Sequence, residues 1–272
     1  MSTIFATRAG AVAFALIFSA FCDSAHAAVY VPEGVPLARL AIPMAPSAEP
    51  FNLTTSLLPE GPLQTKWQDV ARAIEREAET LAACRTAPEA CGSPAALRFL
   101  GIVQAASART GIARLGEVNR AINLAIRPVS DMTQYGTEDH WSSPLATLTA
   151  GAGDCEDYAI AKLVALREAG VASDDLRLII LRGTATGEDH AVLAARVDGR
   201  WRMLDNRTLV MIDDTELNRE SPLVAIDAEG VKRFEQPSAA LAMAQRDNVP
   251  AAPALTSTSA EAANLDALAL IL

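Results

Sequence analysis

Apolar residues recur at the three- and four-residue spacing of a helix in four parts of the chain. The predicted helices are 63–83, 94–108, 114–126 and 155–169, the last of which ends at the stop signal Gly170. Beyond Gly170 the pattern changes to short runs rich in Leu, Ile, Val and Ala, which is typical of strands. The predicted strands are 176–182, 189–197 and 200–205.

A hairpin joins the last two predicted strands. The dipeptide Asp198-Gly199 between them favours a two-residue type I′ turn. With these two residues as the loop, Val197 pairs with Arg200, and the rest of the register follows from that pair.

The segments around this patterned region are different in composition. Residues 28–62 are rich in proline and predict an extended arm with little regular structure. Residues 127–143 are polar and aromatic, and we expect them either to line a cleft or to form an ordinary surface connection. Residues 236–272 are rich in Ala, Pro, Ser and Thr and predict a largely disordered tail with one short helix. The structured domain is therefore expected at residues 63–235.

The first 27 residues have the pattern of a secretory signal peptide. Arg8 supplies the positive charge, residues 9–21 form an apolar run, and Ala25-His26-Ala27 is a small-x-small cleavage sequence. The apolar run is too short to span a membrane as a helix. The protein is therefore expected to be exported to the periplasm, an oxidising compartment.

Three cysteines follow the predicted leader: Cys84, Cys91 and Cys155. The first two are separated by a short loop, and in an oxidising compartment a disulfide between them is the natural pairing. A zinc pair is the alternative, but no other Cys or His is near enough in sequence to complete a site. Cys155 is then the odd, free thiol.

Length and charge limit the classes of function. The chain has 272 residues, enough for one full core with a small accessory subdomain, and its net charge is −10. Nucleic acid binding requires a basic patch, and no cluster of Lys and Arg occurs in the sequence. A nucleic acid is therefore not expected as a partner.

Cys155 lies at the predicted start of a helix, after the turn Gly151-Ala152-Gly153-Asp154. The positive end of a helix dipole favours the thiolate, which is the nucleophilic form of cysteine. A free cysteine more often packs as a small apolar group. The glycine turn and a downstream histidine nevertheless favour a catalytic role.

A thiol nucleophile needs a base, and the base needs a group that orients it. In the register of the predicted hairpin, His190 and Asp205 lie on one face as diagonal neighbours, within side-chain reach. The sequence therefore predicts a triad of Cys155, His190 and Asp205. The alternatives are an ordinary strand histidine and an aspartate of the turn that precedes Asn206.

This arrangement resembles the papain/transglutaminase-like superfamily, and in particular the bacterial transglutaminase-like cysteine peptidases, which include the LapG-type periplasmic proteases. The residues that carry the resemblance are Asn123, Tyr135-Gly136, Asp139, Trp141, Pro144, Gly151-x-Gly-Asp-Cys155-Glu-Asp, His190 and Leu204-Asp205-Asn206. The resemblance implies an α+β fold with N-terminal helices packed on an antiparallel sheet. It also implies a periplasmic endopeptidase that cleaves a large surface adhesin and so releases biofilm, calcium dependence, and an inner-membrane receptor that sequesters the protease.

The charges around Cys155 give a physical reason to expect a calcium site, in addition to the family resemblance. Asp154, Glu156 and Asp157 lie within two residues of Cys155, and like charges disfavour a thiolate. A cation bound by Asp154 and Glu156, with Asp157 or Asp139 as further ligands, would reverse the local sign. The alternative is that Asp154 caps the helix and Asp157 completes a capping box, which leaves Glu156 unexplained.

Two other functions fit the same residues. A transglutaminase-type acyl transferase would use the same triad and deliver the acyl group to an amine instead of water. A non-catalytic periplasmic scaffold would keep the fold and bind a partner, although an intact triad speaks against it.

Overall fold

The structure is a computed structural model, and it describes residues 49–235. The predicted leader, the arm up to residue 48, and the tail from residue 236 with its predicted helix lie outside the described residues. Within the described part, no helix is long and apolar enough to cross a membrane.

Six helices occupy mainly the first two thirds of the described chain. They are α1 (Pro62–Thr86), α2 (Pro94–Ser107), α3 (Gly111–Ala125), α4 (Asp131–Gln134), α5 (Pro144–Ala150) and α6 (Cys155–Glu168). Proline opens α1, α2 and α5, where its missing N–H costs nothing. Ser93 caps α2 by accepting a hydrogen bond from the backbone of Ala96 at 3.2 Å. The three long helices predicted before Cys155 are all present.

Seven strands form one antiparallel sheet in the order β1-β9-β8-β4-β5-β6-β7. Their bounds are β1 (Thr54–Leu57), β4 (Leu176–Gly183), β5 (Asp189–Val197), β6 (Arg200–Leu204), β7 (Ile212–Asp213), β8 (Glu220–Asp227) and β9 (Gly230–Glu235). Two further strands, β2 (Arg127–Pro128) and β3 (Ala152–Gly153), form a separate parallel pair.

The hairpin of β5 and β6 has the predicted register. Val197 pairs with Arg200 and Leu193 with Leu204. Both turn residues have positive φ, 51° at Asp198 and 74° at Gly199, as a type I′ turn requires.

The central strands are buried on both faces. One face packs against the helices through residues such as Leu178, Leu193 and Leu204. The other face forms a second apolar cluster that includes Ile179 and Trp201. This explains why β4 and β5 are almost continuously apolar instead of alternating.

Helix α6 lies in the middle of the molecule. All its residues from Glu156 to Leu166 are buried, including the charged ones. It packs against β5, α3, α2 and α5. A helix that is covered on all sides holds its first residue, Cys155, in a fixed place relative to the sheet.

The sheet is larger than the sequence predicts. Part of the proline-rich segment forms β1, and Phe51 packs edge-on against Phe234 with ring centroids 5.6 Å apart. Strands β8 and β9 and the short helix α5 are also absent from the prediction. Pro222 argues against a strand, but it lies beside the bulge where the register of β4 and β8 shifts between Ile180 and Leu181.

The predicted disulfide is present between Cys84 and Cys91. It joins the last turns of α1 to the loop that precedes α2. Cys155 is free.

Candidate active site

The turn before Cys155 is fixed by backbone geometry and contacts. Gly151 ends α5 in the left-handed region at φ 63°. A side chain at Gly153 is excluded, since a Cβ there would lie 2.8 Å from the Cβ of Asp157. The parallel pair of β2 and β3 holds the turn, and the N–H of Val129 donates to the carbonyl of Gly153 at 3.0 Å. Cys155 then takes the first position of α6.

His190 and Asp205 are in direct contact, as the hairpin register predicts. Nε2 of His190 lies 3.0 Å from Oδ1 of Asp205. His190 is buried near the start of β5, and Asp205 follows the last residue of β6. Because Nε2 is engaged by the carboxylate, Nδ1 is the ring nitrogen left for a proton from a thiol.

The carboxylate of Asp205 is held by a second group. The side chain of Arg207 donates to Oδ2 at 2.9 Å, and its backbone N–H donates to Oδ1 at 2.8 Å. Burial alone would raise the pKa of Asp205, but the hydrogen bonds from His190 and Arg207 outweigh it and hold the pKa below its usual range. Asp205 is therefore a stable anion beside the imidazole.

Cys155 and His190 open into one cleft of about 550 Å³. The polar and aromatic segment 127–143 contributes Glu138, Asp139 and Trp141 to its wall, so this segment lines a cleft, as one of its two interpretations proposed. Lys66 of α1 forms an ion pair with Asp139 and lies 5.6 Å from the centroid of the Trp141 ring. These contacts tie the wall of the cleft to α1.

Three carboxylates gather beside Cys155, and one of them was not predicted. Asp131, Asp154 and Glu156 each offer an oxygen within 4.8 Å of the other two. Oδ1 of Asp131 and Oδ1 of Asp154 are buried without a hydrogen-bond partner. Asp131 comes from the start of α4, and its backbone N–H donates to Oδ2 of Asp154 at 3.3 Å. Hard oxygen donors in one place suit a calcium ion.

The other two acids considered from the sequence have different partners. Asp157 accepts a hydrogen bond from the backbone N–H of Ser142 at 2.7 Å, and Asp139 pairs with Lys66. Asp154 makes no side-chain cap hydrogen bond with α6. The predicted capping by Asp154 is therefore not what holds this carboxylate in place.

The carboxyl groups beside Cys155 raise one another's pKa values, because like charges close together disfavour the ionised form. Burial and the neighbouring Asp154 raise the pKa of Glu156 to about 8. Burial, and then the charges of Asp154 and Asp131, raise the pKa of Asp157 to about 7. Burial, with a smaller contribution from the charge of Asp154, also raises the pKa of Asp131.

The thiol shares this environment. Sγ of Cys155 donates to Oε2 of Glu156 at 3.1 Å. Burial, and then the charge of Glu156, raise the pKa of the Cys155 thiol well above its usual range, and a hydrogen bond from the backbone of Ala191 offsets this only in part. Burial and the neighbouring carboxylate therefore oppose the thiolate that a helix N-terminus favours.

Comparison with known families agrees with this geometry. The family model of the bacterial transglutaminase-like cysteine proteinases matches residues 78–217, about half of the chain. The chain belongs to this family. As a transglutaminase-like cysteine peptidase it is a hydrolase with the α+β fold described above, helices packed on an antiparallel sheet. The matched range includes Cys155, His190 and Asp205.

Solved structures with similar folds include LapG of Legionella pneumophila. The calcium-bound form of LapG is 23% identical, with 56% of this chain and 89% of LapG aligned and a TM-score of 0.46. A second LapG structure is 20% identical, with 62% of this chain and 93% of LapG aligned and a TM-score of 0.48. No curated protein sequence matches the chain.

Asp131 is the member of the acid cluster that the sequence did not reveal. It lies 23 residues before Asp154 and reaches it because β2 and β3 pair. Its one signal was a position inside the polar segment that was expected to line a cleft. Its carboxylate also accepts a hydrogen bond from the backbone N–H of His140, so it links the acid cluster to the cleft wall.

Proposed function

We propose that this protein is a periplasmic cysteine endopeptidase in which Cys155 is the nucleophile, His190 the base and Asp205 the residue that orients the base. The observation that carries the proposal is the 3.0 Å contact of Asp205 with His190, which lines the same cleft as Cys155. A nucleophile, a base and an orienting carboxylate in this order are what acyl transfer through a thiol requires.

In the proposed reaction the thiol proton moves to Nδ1 of His190, and the sulfur attacks the carbonyl carbon of the scissile peptide bond. The imidazolium then returns the proton to the leaving amine, which leaves a thioester on Cys155. Water, deprotonated by the same imidazole, attacks the thioester and forms the product carboxyl group, and the imidazolium returns the proton to the departing Cys155 sulfur. Asp205 keeps the ring in the tautomer with its proton on Nε2 and stabilises the imidazolium that forms.

The proposed substrate is a large surface adhesin or another exported protein, whose cleavage releases biofilm. The family resemblance supports the adhesin, the leader pattern of residues 1–27 supports the periplasm, and the open cleft suits an extended segment of protein. The resemblance also supports an inner-membrane receptor that sequesters the enzyme.

The test of this function is incubation of the mature protein with candidate surface proteins. We expect discrete fragments with the wild type and none with Cys155→Ala, both with and without an added primary amine. New amine-linked products with no increase in free carboxyl termini would instead identify an acyl transferase. If the enzyme cleaves none of the exported proteins of the native host, the proposed substrate class is wrong.

Replacement of Asp205 by Asn tests the orienting residue. An amide in this place holds the wrong tautomer, so we expect turnover to fall at least about a hundredfold while the folded state is largely retained. Asp175→Asn is the matched control, because that aspartate also pairs with an arginine, Arg196, but lies outside the cleft. If Asp205→Asn has near wild-type turnover, Asp205 does not orient the base.

We also propose a calcium ion held by Asp131, Asp154 and Glu156. The fit rests on three oxygen donors within 4.8 Å of each other, two of which belong to carboxylates with a buried oxygen that lacks a partner. When bound, the ion would supply positive charge beside the Cys155 thiol, where Glu156 now opposes ionisation.

A further inference from the structure

Lys162 is a fully buried lysine that contacts the backbone one residue before Asp205 of the proposed triad. It lies two turns after Cys155 on α6, and its side chain has no exposed surface. Its Nζ donates to the carbonyl of Leu204 at 3.1 Å and lies 5.9 Å from the centroid of the Tyr158 ring. In the described part of the chain, no carboxylate is within ion-pair distance of it.

A second buried lysine shows how unusual this is. Lys232 on β9 forms ion pairs with Asp227 at 2.7 Å and with Glu229 at 2.6 Å. Burying an ammonium group without such a partner is strongly unfavourable. Lys162 therefore contributes something other than packing, since a methionine would fill the same volume without that cost.

The position of the Lys162 bond indicates the role. Leu204 is the last residue of β6 and pairs with Leu193 on β5, and the next residue is Asp205. On the other side, Nδ2 of Asn123 donates to the carbonyl of Asp205 at 2.9 Å. Two helices thus hold successive carbonyls of the segment that carries the orienting carboxylate.

The charge of Lys162 acts on the same residue. Burial lowers the pKa of Lys162 to about 7, and the negative charge of Asp205 opposes this effect. Asp205 acts on Lys162 through its charge and is itself bound by the side chains of His190 and Arg207, while the Tyr158 ring lies 5.9 Å from the Lys162 Nζ.

We propose that Lys162 is a positioning residue that fixes the end of β6, so that Asp205 stays against His190, and that its ammonium group favours the ionised carboxylate. The inference rests on the proposed triad. Lys162 itself does not touch the reacting atoms, because it acts through the backbone and charge of Asp205.

The test compares Lys162→Met with Lys232→Met. We expect Lys162→Met to lower kcat at least about tenfold and to change KM little. We also expect the acid limb of the kcat/KM profile to move to higher pH, because a nearby positive charge favours the deprotonated forms of His190 and Asp205. Lys232→Met should lower the unfolding midpoint and leave the pH profile unchanged. It lies on β9, separated from β5 by β8 and β4.

A double-mutant cycle separates this inference from the triad itself. If Lys162 acts through Asp205, Lys162→Met should cost little further turnover in the Asp205→Asn background. Full turnover of Asp205→Asn would overturn the triad. Two outcomes overturn the role of Lys162 alone, provided that Asp205→Asn is severely defective. In the first, Lys162→Met leaves kcat unchanged. In the second, Lys162→Met lowers kcat by the same factor in the wild-type and in the Asp205→Asn background. Lys162→Gln, judged by the same criteria, replaces the methionine variant if that variant does not fold.

Discussion

Cys155→Ser is expected to lower turnover at least about a thousandfold with little change in the fold. Serine is close in volume to cysteine, and Cys155 lies in the first turn of a helix that is buried from Glu156 to Leu166. A hydroxyl is a much weaker acid than a thiol, and the environment that raises the thiol pKa would disfavour an alkoxide still more. Turnover of a natural protein substrate, measured beside the unfolding midpoint, separates lost chemistry from lost structure.

The matched control is the double variant Cys84→Ala, Cys91→Ala. It removes the disulfide, which closes a short loop at the end of α1, and neither cysteine lines the cleft. We expect it to lower the free energy of unfolding by about 2–3 kcal/mol and to keep turnover at temperatures where the protein is folded. A serine variant that cleaves at a near wild-type rate would show that Cys155 is not the nucleophile.

The contact of His190 with Asp205 was predictable because the chemistry of the hairpin turn determines it. Asp198-Gly199 determines the turn type, the turn type determines the register, and the register brings His190 close to Asp205 across the hairpin. Only the hairpin had to be correct for the pair to be found.

The acid cluster was only partly predictable, because its members come from separate parts of the chain. Asp154 and Glu156 flank Cys155 in sequence, but Asp131 reaches them only through the pairing of β2 with β3. Strands of two residues leave no periodic pattern in a sequence. Long-range pairs of this kind can be recognised once the backbone path is known.

The burial of Lys162 and the strand β8 could not be predicted from the sequence for a different reason. A lysine in a helix normally lies on the solvent side, and only the packing of helices and sheet around α6 shows that this lysine is buried. Pro222 argues against a central strand, and only the bulge between β4 and β8 shows how the sheet accommodates it. In both cases tertiary packing overrides the local preference.

Chelation with EGTA is expected to abolish turnover, and calcium, but not magnesium, to restore it. Without a cation, Glu156 opposes ionisation of the Cys155 thiol, and Asp131 and Asp154 keep buried oxygens without partners. Magnesium demands near-ideal octahedral geometry and gives up its waters reluctantly, so a loosely arranged set of carboxylates selects calcium. Turnover after exhaustive chelation and after addition of each ion measures this directly.

Thermal unfolding with and without calcium gives a second readout that does not depend on activity. At a calcium concentration about a hundred times the Kd, binding to the folded state stabilises it by about 2.7 kcal/mol. Asp131→Asn should reduce calcium affinity at least about tenfold and remove about half or more of that stabilisation at the same calcium concentration. Asp139→Asn, whose carboxylate pairs with Lys66 and lies outside the cluster, should keep it. If calcium does not raise the unfolding midpoint and turnover is complete in EGTA, this site does not bind a calcium ion that the enzyme needs. Loss of the calcium effect in Asp139→Asn, but not in Asp131→Asn, would instead move the ion to the cleft wall.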